Sequence, residues 1–172
     1  ICNGQSSTFT SLSTGNITSY SWNFGTGATP SASASAGPVT VSYSTSGLKT
    51  VTLTVSGPDG SDTKTMTNYI QVNSIPAAPG TISGSESVCA GATGAAYSVN
   101  TVTGASAYNW TLPAGAVITG GTGTNQILVN YSNTGGNVCV SASNSCGTSS
   151  TTCKAVVVGK ERIKLMAYNL LN

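Results

Sequence analysis

The sequence predicts an all-β chain made of two tandem sandwiches. Three observations carry the prediction. Apolar and polar residues alternate at the period of a strand, with Gly-, Pro-, Asn- and Asp-containing turns between the runs. No stretch shows a helical period. A tryptophan-centred strand occurs twice, as Tyr20-Ser-Trp22-Asn-Phe24-Gly25-Thr-Gly27 and as Tyr108-Asn-Trp110-Thr-Leu112-Pro113. At 172 residues the chain is too long for one small sandwich and fits two of about 80 to 100 residues.

Composition narrows the function. Only 6% of residues are charged, against about 25% in an ordinary soluble domain; Gly, Ser, Thr, Ala and Asn fill the surface instead, as in secreted β-proteins. A net charge of +2 supplies no field for nucleic acid or anionic membranes, and no apolar run reaches the length that spans a bilayer. No membrane insertion is expected. An opening at Ile1-Cys2, without a signal peptide, reads as a fragment or a processed product. Histidine is absent, so Ser-His-Asp and Cys-His pairs and His-based zinc sites are excluded. The acids are Asp59, Asp62, Glu86 and Glu161. Asp59 and Asp62 share one turn, which is not the spaced carboxylate pair of a glycosidase. The chain is therefore expected to be non-catalytic.

The first module is assigned to residues 1–73. On the strand at Tyr20–Phe24, Trp22 shares a face with its aromatic neighbours two positions away. Val39-Thr-Val41-Ser-Tyr43 is a short strand closed by Ser44-Thr-Ser-Gly47. In Lys49-Thr-Val51-Thr-Leu53-Thr-Val55 the apolar residues face inward and the threonines outward. Gly57-Pro-Asp-Gly60 is a hairpin turn, and residues 63–72 form the return strand.

These residues carry a family resemblance. The Trp22 strand and its turn, then Val41-Ser-Tyr43 through Gly47 to Val51-Thr-Leu53-Thr-Val55, then Gly60-Ser-Asp62, are similar in order to the PKD (polycystic kidney disease) domain. That family is marked by a Trp-Asp-Phe-Gly-Asp-Gly strand and turn followed by Tyr-x-x-x-Gly-x-Tyr-x-Val-x-Leu-x-Val. The chain departs from it at Asn23 and Thr26, where the family has Asp, and at Lys49-Thr50. The resemblance implies an Ig-like sandwich serving as a spacer or interaction module on secreted and cell-surface proteins. Its partners would be other domains of the same polypeptide, and polysaccharide or protein at the cell surface. Losing both family acids weakens a calcium site in that turn. Asp59, Asp62 and nearby carbonyls are the remaining Ca²⁺ candidates, and two carboxylates fall short of a six- to eight-oxygen shell. No cofactor is expected.

Residues 74–79, Ser-Ile-Pro-Ala-Ala-Pro, read as a semi-stiff linker. The second module, 80–158, repeats the first. Cys2 and Cys89 are 87 residues apart, Trp22 and Trp110 are 88 apart, and so are Tyr43 and Tyr131. A nearly constant offset indicates an internal duplication. The second copy has a lead-in, Gly80-Thr-Ile82-Ser-Gly-Ser, ahead of its Cys, whereas the first begins almost at Cys2. The expectation is that the first module's opening strand is missing or lies upstream.

Four cysteines fall in the second module. A hairpin of 138–144 with 150–158, centred on Cys146, sets Cys139 opposite Cys153 at a spacing that a disulfide spans. Cys146 then remains for Cys89, and Cys2 is expected to have no partner. The alternatives are four reduced thiols, disfavoured by the composition, and zinc, for which Cys-x6-Cys-x6-Cys is not a usual ligand spacing. Val138 and Val140 should face the core.

Cys89-Ala-Gly91, Tyr97, Tyr108-Asn-Trp110, Pro113-Ala-Gly115, Val129-Asn-Tyr131 and Asn144-Ser-Cys146-Gly147 resemble the PKD-like repeats of bacterial multidomain surface proteins. Residues 159–172 break the composition. Lys160 to Asn172 resembles the first strand of the endonuclease/exonuclease/phosphatase superfamily, which implies that Asn169 helps orient metal and phosphate in a catalytic domain beginning near residue 161. Without the acids and histidines of that site, Asn169 alone does no chemistry.

Trp22 and Trp110 have two readings, as sugar platforms or as core. Their mid-strand placement favours core, together with Phe24, Val51, Leu53 and Val55. Asn16, Asn109 and Asn130 each open a glycosylation triplet, which a Ser/Thr-rich chain produces by chance. The Gly-rich loops cradle no phosphate, because no helix start follows them.

Overall fold

The computed structural model describes residues 1–159, and within them every regular element is a strand. The chain divides into two compact units, Ile1–Ile75 and a second beginning at Pro76. The first holds β1 (Ser6–Phe9), β2 (Ser19–Asn23), β3 (Ala28–Thr29), β4 (Ala32–Ser33), β5 (Val39–Tyr43), β6 (Gly47–Gly57) and β7 (Gly60–Val72). They form one sheet in the order β1-β5-β3 and a second in the order β4-β2-β6-β7. Side-chain alternation dictates which residues meet between the sheets. Trp22 pairs with Leu53 in the β2–β6 ladder, and the buried cluster comprises Phe9, Trp22, Phe24, Val41, Tyr43, Val51, Leu53 and Val72. Val55 is half-buried against it. Pro58 and Asp59 make the two-residue connection between the paired ends Gly57 and Gly60.

The second unit holds β8 (Ser87–Cys89), β9 (Ala95–Ser98), β10 (Ala107–Thr111), β11 (Val117–Gly120), β12 (Gln126–Asn130), β13 (Gly136–Asn144), β14 (Gly147–Thr148) and β15 (Thr152–Gly159). Its sheets run β11-β12-β9 and β10-β13-β15-β8, with β14 folded back on β13. Each sheet repeats one of the first unit: β9, β12 and β11 stand where β1, β5 and β3 stand, and β10, β13 and β15 answer β2, β6 and β7. The duplication read from the offsets is thus a duplication of topology. In both units the opening segment runs parallel to the closing strand. Cys2 bridges Asn73 in the first, and β8 pairs with β15 from Ser87↔Val157 to Cys89↔Gly159 in the second.

Trp110 departs from expectation. It packs against its core cluster but is only half-buried, whereas Trp22 is 7% exposed. The cause is strand order. β2 is internal and β4 pairs with it at Trp22↔Ser33, while β10 is the edge of its sheet, touched on its outer side by a bridge from Tyr108 to Gly123. Val138 and Val140 are fully buried.

The cysteines bring a correction. Cys139 and Cys153 are opposite each other in the β13–β15 ladder and are joined. Cys89 is an exposed free thiol, so the pairing Cys89–Cys146 does not form. Cys146 is nevertheless disulfide-bonded, and so is Cys2, which was expected to have no partner. The β8 pairing explains why Cys89 is out of reach. From the Cys139–Cys153 rung, Gly159 beside Cys89 lies six residues toward one end of the sheet (153 to 159), and Asn144 lies five toward the other (139 to 144). At about 3.3 Å per residue the two ends are roughly 35 Å apart, and a disulfide needs Cα atoms within about 7 Å.

A candidate groove on the first unit

Two aromatic clusters organise the units. In the first, the rings of Phe9 and Phe24 are 5.1 Å apart and Trp22 stacks on Phe24 at 5.6 Å. The Trp22 indole N–H donates to the Ser35 carbonyl at 2.9 Å, and the buried Tyr43 hydroxyl donates to the Phe24 carbonyl at 3.1 Å. Burial pushes the Tyr43 phenol above its ordinary pKa. Lys49, which stands where the family pattern has tyrosine, is buried. Its ammonium donates to Thr45 Oγ1 at 2.8 Å and to the Ser46 carbonyl at 3.3 Å, 5.9 Å from the Tyr43 ring centre. The stem of Lys49 occupies the apolar place and its charge reaches the polar rim.

In the second unit the Trp110 indole donates to Thr124 O at 2.9 Å. The Tyr131 hydroxyl donates to the Tyr97 hydroxyl at 3.0 Å, and that hydroxyl donates to the Ser85 carbonyl at 3.0 Å. Burial, then the bond to Tyr97, raises the Tyr131 phenol far above its usual range. Each indole N–H is thus held by a carbonyl of its own unit, and each ring packs against that unit's core cluster.

The concave feature of the first unit is a groove of about 640 Å³ between β1 with the residues after it and β7. That volume falls within the range of small-ligand sites. Phe9, Trp22, Val51 and Leu53 form its floor, Thr8 and residues 10–13 one wall, and Lys64, Met66 and Tyr69 the other. Leu12 is 91% exposed and Tyr69 53% exposed on its rim. The Lys64 ammonium makes no hydrogen bond or ion pair among the described residues.

Tyr69 owes its position to a bulge. Lys49 faces Ile70 and Val51 faces Met66, so residues 67–69 of β7 stand opposite Thr50 alone. Asn68 adopts φ 54°, a left-handed conformation that Asn tolerates better than most side chains, and its N–H donates to Thr50 Oγ1 at 3.3 Å. The bulge turns Tyr69 toward the core side, with its ring 6.4 Å from that of Phe9. Sequence reasoning singled out neither Phe9 nor Tyr69. The register slip that aims Tyr69 leaves no mark in a run of alternating residues.

Asp59 and Asp62 line a shallower hollow of about 280 Å³ beside Asn16. Asp62 Oδ1 accepts the Thr63 N–H at 2.8 Å, and no group of three potential metal ligands occurs among the described residues. The tail with Asn169 lies outside the described residues.

Comparison with known proteins agrees with the geometry. The PKD domain model matches residues 1–70 and the PKD-like domain model residues 75–157. No curated protein matches the chain. Among solved structures, the amphioxus IgVJ-C2 molecule is 16% identical over 92% of this chain and 100% of its own, with a TM-score of 0.44. The fibronectin(III)-like modules of Clostridium thermocellum CbhA are 11% identical over 98% and 93%, with a TM-score of 0.38. The N-terminal four Ig domains of Dscam1 isoform 9.44 are 8% identical over 92% and 42%, with a TM-score of 0.40.

Proposed function

The chain belongs to the PKD family, a PKD domain followed by a PKD-like one, and from that premise we propose that its sandwiches are non-catalytic modules that space and present other domains of a secreted or cell-surface protein. One observation carries the reading: in each unit the tryptophan is packed against the core and its N–H is held by a carbonyl of the same unit. The aromatic chemistry that would serve a ligand is used for packing. The disulfide between Cys139 and Cys153 and the charge-poor surface fit an oxidising, extracellular setting. Affinity electrophoresis against a panel of cell-surface polysaccharides tests the proposal. Unchanged mobility in every gel supports spacing. Retardation that Tyr69→Ala abolishes would replace it with the second reading, adhesion to polysaccharide or protein, which the half-exposed Tyr69 beside the groove favours.

A further inference from the structure

The two units share one topology and differ along the outer edge of β1 and its counterpart β9. In the second unit Ser83 lies antiparallel to Ser98, and the N–H of each donates to the carbonyl of the other at 2.8 and 3.0 Å. Ile82 beside it is 5% exposed and belongs to the core cluster. Gly84 passes so close to β9 that a Cβ there would stand 2.7 Å from the Ala96 carbonyl and 2.4 Å from the Tyr97 ring. Residues 82–85 thus form a strap over Ala96, Tyr97 and Ser98.

Eighty-eight positions earlier stand Thr8, Phe9 and Thr10, and all three line the groove of the first unit. The N–H and carbonyl of Thr10, counterparts of the groups Ser98 gives to Ser83, make no hydrogen bond among the described residues, and Thr10 is exposed. A floor of Phe9 and Trp22, walls that carry Leu12, Met66 and Tyr69, and an edge residue with both backbone groups unpaired therefore coincide at one place.

We propose that this groove seats an extended peptide strand, antiparallel to β1, with one β-branched aliphatic side chain followed by small residues. This is the chemistry of Thr81-Ile82-Ser83-Gly84. The strand's backbone bonds to Thr10, its aliphatic side chain enters beside Phe9 and Met66, and the glycine lets it pass close to Thr8. Main-chain bonds at a free sheet edge give such docking its register, and the pocket selects the side chain. A second copy of this chain is not the donor, because its own Ile82 and Ser83 are already held on β9. The proposal sharpens the adhesion reading to one ligand class. A chain that binds no polysaccharide leaves it standing, and a chain that ignores the peptide leaves the spacer role standing.

The test titrates the full chain with the acetylated, amidated peptide Gly-Thr-Ile-Ser-Gly-Ser and follows amide hydrogen exchange at Thr10 by NMR. Saturating peptide should slow that amide by about tenfold or more. Serine in place of the peptide's isoleucine should weaken binding roughly tenfold to a hundredfold, the worth of one buried aliphatic side chain. Leu12→Asp and Tyr69→Ala, both at exposed positions that the fold tolerates, should weaken binding. Val157→Asp, at an exposed position in the second unit, should not. The proposal is overturned if Thr10 exchange is unmoved at millimolar peptide or if both peptides bind alike. It is equally overturned if Thr10 is protected by self-association or by an oligosaccharide and not by the peptide.

Discussion

The Tyr131–Tyr97–Ser85 relay predicts an asymmetry larger than a simple count of hydrogen bonds would give. In Tyr131→Phe, the Tyr97 hydroxyl still donates to Ser85 and loses only a bond it received. The cost is that of one ordinary hydrogen bond, about 0.5 to 1.5 kcal/mol. In Tyr97→Phe, the buried Tyr131 hydroxyl keeps its proton and loses its acceptor, and the Ser85 carbonyl loses its donor. An unsatisfied buried donor costs about 1 to 3 kcal/mol beyond the lost bond, so the total is about 2 to 4 kcal/mol. Tyr97→Phe combined with Tyr131→Phe removes the orphaned donor and should cost less than the sum of the single changes. Native-state hydrogen exchange at the amides of Val129 and Val140 reports the second unit alone, since both lie in its core. A Tyr131→Phe variant as damaged as Tyr97→Phe, or strictly additive costs, would refute the relay.

Further outcomes concern pH, thiols and turns. Because the folded phenols of Tyr131 and Tyr43 are raised above the unfolded value near 10, their contribution to stability is complete below pH 10 and is lost as pH climbs above it. The loss is at most about 1.4 kcal/mol per pH unit for each phenol; Tyr131→Phe should flatten the alkaline limb of the second unit and Tyr43→Phe that of the first. Thiol titration of the native, unreduced chain should find one reactive group, and Cys89→Ser should abolish it. Replacing both Cys139 and Cys153 by Ser releases a loop of sequence separation 14 and should lower urea-measured stability by about 3 kcal/mol. Gly25→Ala forces a side chain at φ 81° with its Cβ 2.9 Å from the Thr50 carbonyl. The expected destabilisation, about 1 to 3 kcal/mol, would show as a lowered melting temperature of the first unit.

Much of this architecture is legible in the sequence, for identifiable reasons. Val39–Tyr43, Lys49–Val55 and the Gly57–Gly60 turn announce themselves because each strand places three or more apolar side chains on one face. The hairpin register that sets Cys139 against Cys153 follows from the same alternation. β1 and β9 escape notice because Ser6-Ser-Thr-Phe9 and Ala95-Ala-Tyr97-Ser98 carry one large side chain each, too few to define a period. Phe9 therefore goes unrecognised as core, and with it the floor of the groove. The strand partner of Cys89 is not legible, because it is fixed by parallel pairing with β15, a contact across some seventy residues that local pattern does not encode. The exposure of Trp110 depends on which strand lies at a sheet's edge, and that too is decided by the assembled fold.

In each unit an early segment, Cys2 in the first and β8 in the second, lies alongside the end of the last strand, pointing the same way. A polypeptide that enters and leaves in this manner does so at opposite poles. Traction between the two termini then drags those neighbouring segments past one another lengthwise. Their interstrand bonds must fail together instead of unzipping singly. Tension along a filament of such beads would be resisted by the whole seam at once.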